Sequence, residues 1–102
     1  MKNEGKRIWI SLPMSGYSDD FIDARLRKAK EKYSPLGKVI TPRDAVPDRS
    51  TPYNMALGKC VEMIMTCQMA VFLNGWEYSH GCRIEDFTCS TFNISKIQDN
   101  KF

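Results

Sequence analysis

Residues 69–85 read MAVFLNGWEYSHGCRIE and indicate a strand, a polar turn and the beginning of a helix. The apolar run at residues 69–73 is short enough to be a buried strand, and Gly75 and Gly81 mark the turn after it. In α/β proteins, a strand, a turn and a helix in this order build a ligand site at the carboxyl edge of the sheet. Beyond the turn, four residues follow helical spacing: Ile84, Phe87, Thr88 and Thr91.

Glu85 lies about one turn into the predicted helix, close to the positive amino end of the helix dipole. Two interpretations are open: an ordinary first-turn acid, which the dipole favours, or a functional carboxylate that faces the ligand site. His80 and Trp76 are ambiguous in the same way. His80 either contacts a phosphate or acts as an acid, or it is merely exposed to solvent. Trp76 either stacks on a ligand base or covers the core.

The rest of the chain alternates between strand and helix patterns, in the order β-α-β-α-β-α-β. Ser18 or Asp19 can cap the first helix, and Thr51 before Pro52 predicts an N-cap for the second. The third helix should extend from residue 81 to residue 92. The first helix is expected to bury Ile22, Leu26, Ala29 and Tyr33. Helices separate four predicted strands, at residues 7–12, 38–41, 69–73 and 94–97.

Three irregular segments connect or follow these elements. Residues 42–50 are rich in Pro, Asp and Arg and are expected to form a polar loop. Asn93 can take a left-handed conformation at the end of the third helix. Residues 98–102 resemble a loose tail.

The alternation predicts one α/β domain over residues 1–102, a three-layer sandwich with a mainly parallel sheet and right-handed crossovers. At this length the flavodoxin-like strand order 2-1-3-4 is expected. The loops at residues 13–17, 42–50 and 74–81 then share one rim of the sheet. A ligand belongs between the first and the third of these loops.

The composition is that of a soluble globular protein, with 42% hydrophobic and 26% charged residues and a net charge of +3. The basic cluster at residues 25–32 is interpreted as the wet face of a helix, because a surface for a nucleic-acid polymer needs more concentrated charge. No apolar stretch is long enough to cross a membrane, and no secretory signal follows the basic amino terminus. We therefore expect a cytoplasmic protein without a membrane partner.

The four cysteines occur as two pairs, each with a spacing of seven: Cys60 and Cys67, then Cys82 and Cys89. This spacing places the members of a pair two turns apart on a helix, which is too far for a disulfide and unlike a zinc site. Small buried thiols are the better interpretation, and no metal ligand set is visible.

Three segments resemble a known family: residues 10–16 (ISLPMSG), Thr41-Pro42, and residues 67–85 with their Gly-Trp-Glu-x-Ser-x-Gly-x-x-x-Glu run. They are similar to a small bacterial and phage family of unknown function that itself resembles nucleoside 2-deoxyribosyltransferases and deoxynucleoside-monophosphate N-glycosidases. The resemblance extends from about residue 8 to residue 97 and implies a single nucleoside 2-deoxyribosyltransferase-like domain.

The resemblance implies that Glu85 is the catalytic glutamate, which attacks the anomeric carbon of the sugar and forms a glycosyl-enzyme intermediate. The implied reaction requires no cofactor and no metal. The substrate is expected to be a nucleoside or nucleotide, and a homo-oligomer is expected because a neighbouring copy closes the pocket in related enzymes. The residues implied in substrate binding are Ser11, Met14, Ser15, Gly16, Asn74, Trp76, Ser79, Gly81 and Cys60.

Several positions depart from the family pattern. Cys60 and Gln68 stand where related enzymes carry acids, and Leu12 and Trp9 replace a glycine and a tyrosine. Loss of a general acid costs roughly a hundred- to ten-thousand-fold in rate. Either another acid from the second loop substitutes (Asp44 or Asp48), or catalysis has weakened. We further expect Cys60 to be the exception among buried thiols, facing the ligand cleft.

Two function classes therefore stay open from the sequence. The first is an N-glycosidase or deoxyribosyltransferase with Glu85 as its nucleophile. The second is a catalytically decayed module on the same fold that binds a nucleotide-like ligand or a protein. Redox chemistry is disfavoured because no Cys-x-x-Cys motif is present.

Overall fold

The computed structural model describes residues 5–101 and contains one four-stranded sheet. Its helices are α1 (Asp19–Tyr33), α2 (Pro42–Ala45), α3 (Tyr53–Ile64) and α4 (His80–Thr91), and short 3₁₀ turns cover Ser34–Leu36 and Trp76–Tyr78. Its strands are β1 (Arg7–Ser11), β2 (Lys38–Ile40), β3 (Met69–Leu73) and β4 (Ser95–Asp99). All neighbouring strands are parallel, in the order β2-β1-β3-β4. The predicted flavodoxin-like α/β fold is therefore confirmed.

The sheet separates two apolar clusters because successive side chains of a strand point to opposite faces. Ile8 and Ile10 of β1 belong to the cluster under α1, whereas Trp9 between them belongs to the cluster under α3 and α4. The helices thus cover both faces and produce three layers. All four residues predicted to form the buried stripe of α1 are buried: Ile22, Leu26, Ala29 and Tyr33.

The segment after β2 differs from its prediction as a plain loop. Residues 42–45 form α2, a single turn that begins with a capping box. Thr41 Oγ1 accepts a hydrogen bond from the N–H of Arg43, and the Asp44 carboxylate accepts one from the N–H of Thr41. The spacing of Thr41 and Asp44 is the sequence signature of such a box, so this turn could have been recognised.

Two predicted boundaries are wrong. Thr51 does not cap α3; its hydroxyl donates to the carbonyl of Asp48, and the helix begins at Tyr53 after Pro52. The predicted tail is in part strand, since β4 extends to Asp99. Asp99 is buried and accepts hydrogen bonds from Tyr33 Oη at 2.6 Å and Lys32 Nζ at 2.8 Å. This cluster ties the end of β4 to α1, whereas Phe102 lies outside the described residues.

The two ends of α4 support its predicted position. Ser79 is the N-cap and its Oγ accepts a hydrogen bond from the N–H of Cys82 at 3.3 Å. Asn93 follows the helix with φ of 57°, the left-handed conformation predicted for it. The loop between β3 and α4 is therefore anchored at the carboxyl edge of the sheet, beside the end of β1.

Two glycines should respond in opposite ways to alanine substitution. A Cβ at Gly37 would lie 2.7 Å from the carbonyl oxygen of Lys6, whereas a Cβ at Gly58 meets nothing within 4 Å. Gly58 lies inside α3, where alanine is favoured over glycine by roughly 0.5–1 kcal/mol. Gly58→Ala should therefore raise the free energy of unfolding in urea titrations, and Gly37→Ala should lower it. Equal effects of both variants would contradict the packing described for Gly37.

Candidate functional site

Glu85 lies on the inner face of α4 and is only 6% exposed. The same face carries Cys82, Thr88 and Cys89, all of them buried. The apolar residues whose spacing suggested the helix lie mainly on its other face, since Ile84 is 43% exposed and Phe87 71% exposed. Because α4 begins at His80, Glu85 lies beyond its first turn, so the alternative of an ordinary first-turn acid does not describe it.

A buried hydrogen bond fixes the Glu85 carboxylate. Trp9 Nε1, on the central strand β1, donates to Glu85 Oε1 at 2.9 Å, and the Trp9 side chain is fully buried. Burial raises the pKa of Glu85 from an ordinary 4.5 to about 6, and the Ser11 and Trp9 donors oppose this rise. A carboxyl group with this pKa is largely ionised at neutral pH. Glu85 is thus an anion that accepts a hydrogen bond from a neutral donor, the indole of Trp9.

Glu85 opens on a cavity of about 300 Å³, the Glu85 pocket. Its walls come from the loop after β1, the start of α1, the inner face of α3 and the first turns of α4. Most of the lining is apolar. Six residues predicted for the site line it together: Met14, Ser15, Cys60, Ser79, Gly81 and Glu85.

A second cavity of about 550 Å³, the outer pocket, adjoins the first and shares Ser15, Tyr17, Tyr53 and Ser79 with it. It lies at the amino end of α4, where free backbone N–H groups and the helix dipole favour an anion. The exposed side chain of His80 also lines this cavity. The two pockets together form one cleft. Its more apolar end lies at Glu85, and its more polar end lies at the first residue of α4.

The structure places the remaining predicted site residues outside both linings. Ser11 is fully buried, and its Oγ has no hydrogen-bond partner among the described residues. Its hydroxyl nevertheless lowers the pKa of Glu85 and of Cys82, against the rise that burial causes. Gly16, with φ of 88°, shapes the first loop and is exposed. The carbonyl of Asn74 accepts a hydrogen bond from Arg25 Nη2.

Trp76 also lies outside the linings and covers the core, the second of its two interpretations. Its ring packs against Phe72 with centroids 5.2 Å apart, and it joins the apolar cluster under α3 and α4. Its Nε1 is buried without a hydrogen-bond partner among the described residues. Its prediction as a substrate-binding residue is therefore not supported by the geometry, because the ring faces the core rather than the cleft.

The predicted substitute acids do not reach the Glu85 pocket. Asp44 is occupied in the capping box of α2, and Asp48 accepts hydrogen bonds from Ser50. Gln68 lies at the opposite edge of the sheet, where its Oε1 accepts from the N–H of Arg7. The acid that lines the pocket besides Glu85 is Asp19, whose sequence context predicts only a helix cap.

Asp19 is held in an ion-pair network with two arginines. Its Oδ1 lies 2.8 Å from Arg43 Nη2 and its Oδ2 lies 3.1 Å from Arg49 Nη1. Asp23, one turn later, binds the same two guanidinium groups. No local pattern reveals this site, because the two arginines come from the segment after β2, more than twenty residues away.

Cys60 lines the Glu85 pocket as predicted, but it is not the exposed exception among the thiols. All four cysteines are free and buried, and Cys60 is only 7% exposed. Burial raises the pKa of the Cys60 thiol to about 12, and the neighbouring Glu85 carboxylate adds to the rise. The thiol is therefore protonated and a poor nucleophile at neutral pH.

Among residues 5–101, no three His, Cys, Asp or Glu side chains are arranged so that they could hold a metal ion. No helix in the same part of the chain is both long and apolar enough to cross a membrane.

A family model described as Domain of unknown function (DUF4406) matches residues 6–95. No curated protein gives a significant match. The matched range contains all residues that line the Glu85 pocket and the outer pocket.

The raised pKa of Glu85 predicts a specific pH dependence of stability. Above the ordinary value of 4.5 the unfolded chain loses its proton first, so stability falls as the pH rises toward the folded value of about 6. The difference between a pKa of 4.5 in the unfolded chain and about 6 in the folded protein corresponds to about 2 kcal/mol. Glu85→Gln keeps an acceptor for Trp9 and has no charge to bury.

We therefore compare the free energy of unfolding of Glu85→Gln with that of the wild type at two pH values. The difference, variant minus wild type, should be about 2 kcal/mol larger at pH 7.5 than at pH 4. Chemical denaturation at the two pH values measures this difference. Asp86→Asn is the matched control, because Asp86 is the next residue of α4 and pairs with Lys96 at 2.9 Å. A stability difference between Glu85→Gln and wild type that is independent of pH would show that Glu85 is not buried in solution.

Proposed function

Because this chain belongs to the DUF4406 family, whose description assigns no activity, we propose a function from its own site: cleavage or transfer of the N-glycosidic bond of a nucleoside or nucleotide. Glu85 is the proposed nucleophile. The observation that carries the proposal is the Glu85 carboxylate itself, buried at the end of an apolar pocket and oriented by Trp9. The resemblance of the Gly-Trp-Glu-x-Ser-x-Gly-x-x-x-Glu run to nucleoside 2-deoxyribosyltransferases supports the same reaction.

The chemistry proceeds in two steps. As the bond from C1′ to the base breaks, positive charge develops on the sugar, and the Glu85 carboxylate stabilises that charge before it bonds to C1′. Water or the base of an acceptor then attacks C1′ and releases the carboxylate. The apolar pocket wall limits access of water and strengthens the attraction between the carboxylate and the developing cation.

The two ends of the cleft suit the two ends of such a substrate. The sugar binds at Glu85, and a phosphate, where present, binds in the outer pocket at the amino end of α4. Ser15 and Ser79 line both pockets and offer hydroxyl groups to the sugar or the phosphate. The rings of Tyr17 and Tyr53 line the same junction and offer surfaces for stacking on a base.

The second candidate function is binding of the same type of ligand without turnover. The Cys60 thiol favours it, because this residue stands where related enzymes carry an acid and burial raises its pKa to about 12. A thiol of this kind replaces a general acid poorly. The two candidates differ in one observable, the release of free base.

We also propose that the protein forms a homo-oligomer through the face of α3 and α4 that carries Tyr53, Ile84 and Phe87. These side chains are 56%, 43% and 71% exposed and line one groove. Tyr53 also lines the cleft, so a second copy on this face would lie beside the substrate and could complete the shallow pocket.

Glu85→Gln should abolish release of base while the ligand still binds. The amide keeps the shape and the hydrogen-bond acceptor but neither stabilises the developing cation nor bonds to C1′. Chromatography of purified protein with deoxynucleosides and their monophosphates measures free base. Asp86→Asn, which removes the neighbouring carboxylate from the other side of α4, should retain wild-type activity. Wild-type turnover that survives Glu85→Gln would identify another nucleophile, and a wild type that binds without releasing base would favour the second candidate.

The proposed contact between copies has a matched test. Ile84 and Leu36 are both 43% exposed, but Leu36 lies in the 3₁₀ turn before β2, away from the α3 and α4 face. Ile84→Glu should shift the protein toward the monomer in sedimentation equilibrium because a buried unpaired charge opposes association. Leu36→Glu should leave the distribution unchanged. A wild-type monomer at high concentration would refute the proposal.

A further inference from the structure

The proton donors around Glu85 decide which leaving groups the site can handle. A neutral base departs from C1′ with the electron pair of the broken bond, and a proton supplied by a general acid offsets the resulting negative charge. Glu85 itself is committed to C1′ in the proposed reaction. The nearest candidate donors for the base are therefore the other groups on the wall of the Glu85 pocket, which does not include His80 of the outer pocket.

The other carboxyl group among the described residues that line the Glu85 pocket is that of Asp19. Both of its oxygens face guanidinium groups, Oδ1 at 2.8 Å from Arg43 and Oδ2 at 3.1 Å from Arg49. Two guanidinium groups that pair with one carboxylate fix its position. Asp19 therefore anchors the segment after β2, and we assign it no role as the proton donor.

The thiols on the wall are also poor donors. Cys60 and Cys82 both line the pocket, and burial raises the pKa of each, that of Cys60 to about 12. The phenols of Tyr17 and Tyr53 lie where the Glu85 pocket meets the outer pocket. The wall next to Glu85 therefore combines apolar surface with weak acids.

A base that already carries a positive charge needs no such donor. When its bond to C1′ breaks, the electron pair neutralises the ring, and the base leaves as a neutral molecule. The Glu85 anion, which has a neutral indole N–H as its hydrogen-bond partner, also attracts a cationic ring into the apolar pocket.

We propose that the substrate is an N-glycoside of a positively charged heterocycle, such as a ring-alkylated purine or a pyridinium. The inference rests on the proposed function, since it assumes that Glu85 attacks C1′. In the first step the bond from C1′ to nitrogen breaks and the bond from C1′ to the Glu85 oxygen forms. In the second step water replaces that oxygen at C1′ and its proton passes to solvent, so that no proton is delivered to the base.

The first experiment measures release of base from 7-methyl-2′-deoxyguanosine and from 2′-deoxyguanosine at pH 6.5. For each nucleoside, the rate with wild-type protein is divided by the rate without protein. The ratio should be at least about 100-fold larger for the methylated nucleoside, the lower end of what a general acid contributes. A pyridinium deoxyriboside is the second cationic probe. Its rate ratio should match that of the methylated purine if the positive charge of the base determines the rate of release. Turnover of the methylated purine alone would restrict the class to purines.

Cys60→Asp supplies the matched variant. Introducing a carboxyl group beside Glu85 should raise the rate at which guanine is released from 2′-deoxyguanosine. The rate ratios of the two nucleosides should then differ at least tenfold less than they do with the wild type. Because a buried aspartate could impair folding, the pH profile of the wild type is a second measurement. With the pyridinium probe, kcat/KM should rise through about pH 6 as Glu85 ionises and then stay level to pH 9.

Equal rate ratios for the two guanine nucleosides, or an alkaline fall of kcat/KM with the pyridinium probe, would overturn the inference and leave Glu85 chemistry intact. Release that is no faster than in Glu85→Gln, from every substrate, would instead overturn the proposed function on which the inference rests.

Discussion

The hydrogen bond from Trp9 to Glu85 joins the central strand to the helix that carries the site, and the architecture of the cleft depends on it. Trp9 points toward α3 and α4 because it alternates with Ile8 and Ile10 along β1. Its indole fills the layer between the sheet and α4 and leaves one polar atom, Nε1, directed at the carboxylate. The inner face of α4 can therefore carry an acid where an apolar residue would ordinarily pack. Without a donor at this point the buried oxygen would be unsatisfied, at a cost of about 1–3 kcal/mol.

Glu85 and Asp99 are both buried, but they have opposite effects on the stability of the fold. A carboxylate whose hydrogen-bond donor is neutral destabilises the fold at neutral pH, whereas the buried Asp99 shows the opposite balance. Burial alone would raise the pKa of Asp99, but hydrogen bonds from Lys32 and Tyr33 outweigh that effect and bring it to about 2. One buried acid thus stabilises the edge of the sheet, and the other lies beside a cavity with a raised pKa. Carboxyl groups with a perturbed pKa beside a cavity are candidates for a functional role.

The sequence predicted the sheet and most of α1 and α4 because period-two and period-3.6 patterns depend on burial over many residues. It could not orient α4, whose outward face carries Ile84 and Phe87 while thiols, a threonine and Glu85 face inward. The spacing of apolar residues identifies the inner face of a helix only when that face is the more apolar one. The Gly-Trp-Glu-x-Ser-x-Gly-x-x-x-Glu run identified Glu85 where spacing alone was ambiguous. The ion pairs of Asp19 depend on long-range contacts, which no local pattern records.

The same indole that positions Glu85 has a consequence for how the site can be observed. The emission of an indole depends on the charge and polarity around its ring, and Trp9 is fully buried against the carboxylate. The protein has two tryptophans, and the second, Trp76, packs on Phe72 away from the cleft. Replacing Trp76 with phenylalanine would leave a single tryptophan in the protein, in direct contact with the Glu85 carboxylate. Ionisation of Glu85 and entry of a ligand would then be visible in unlabelled protein, in real time.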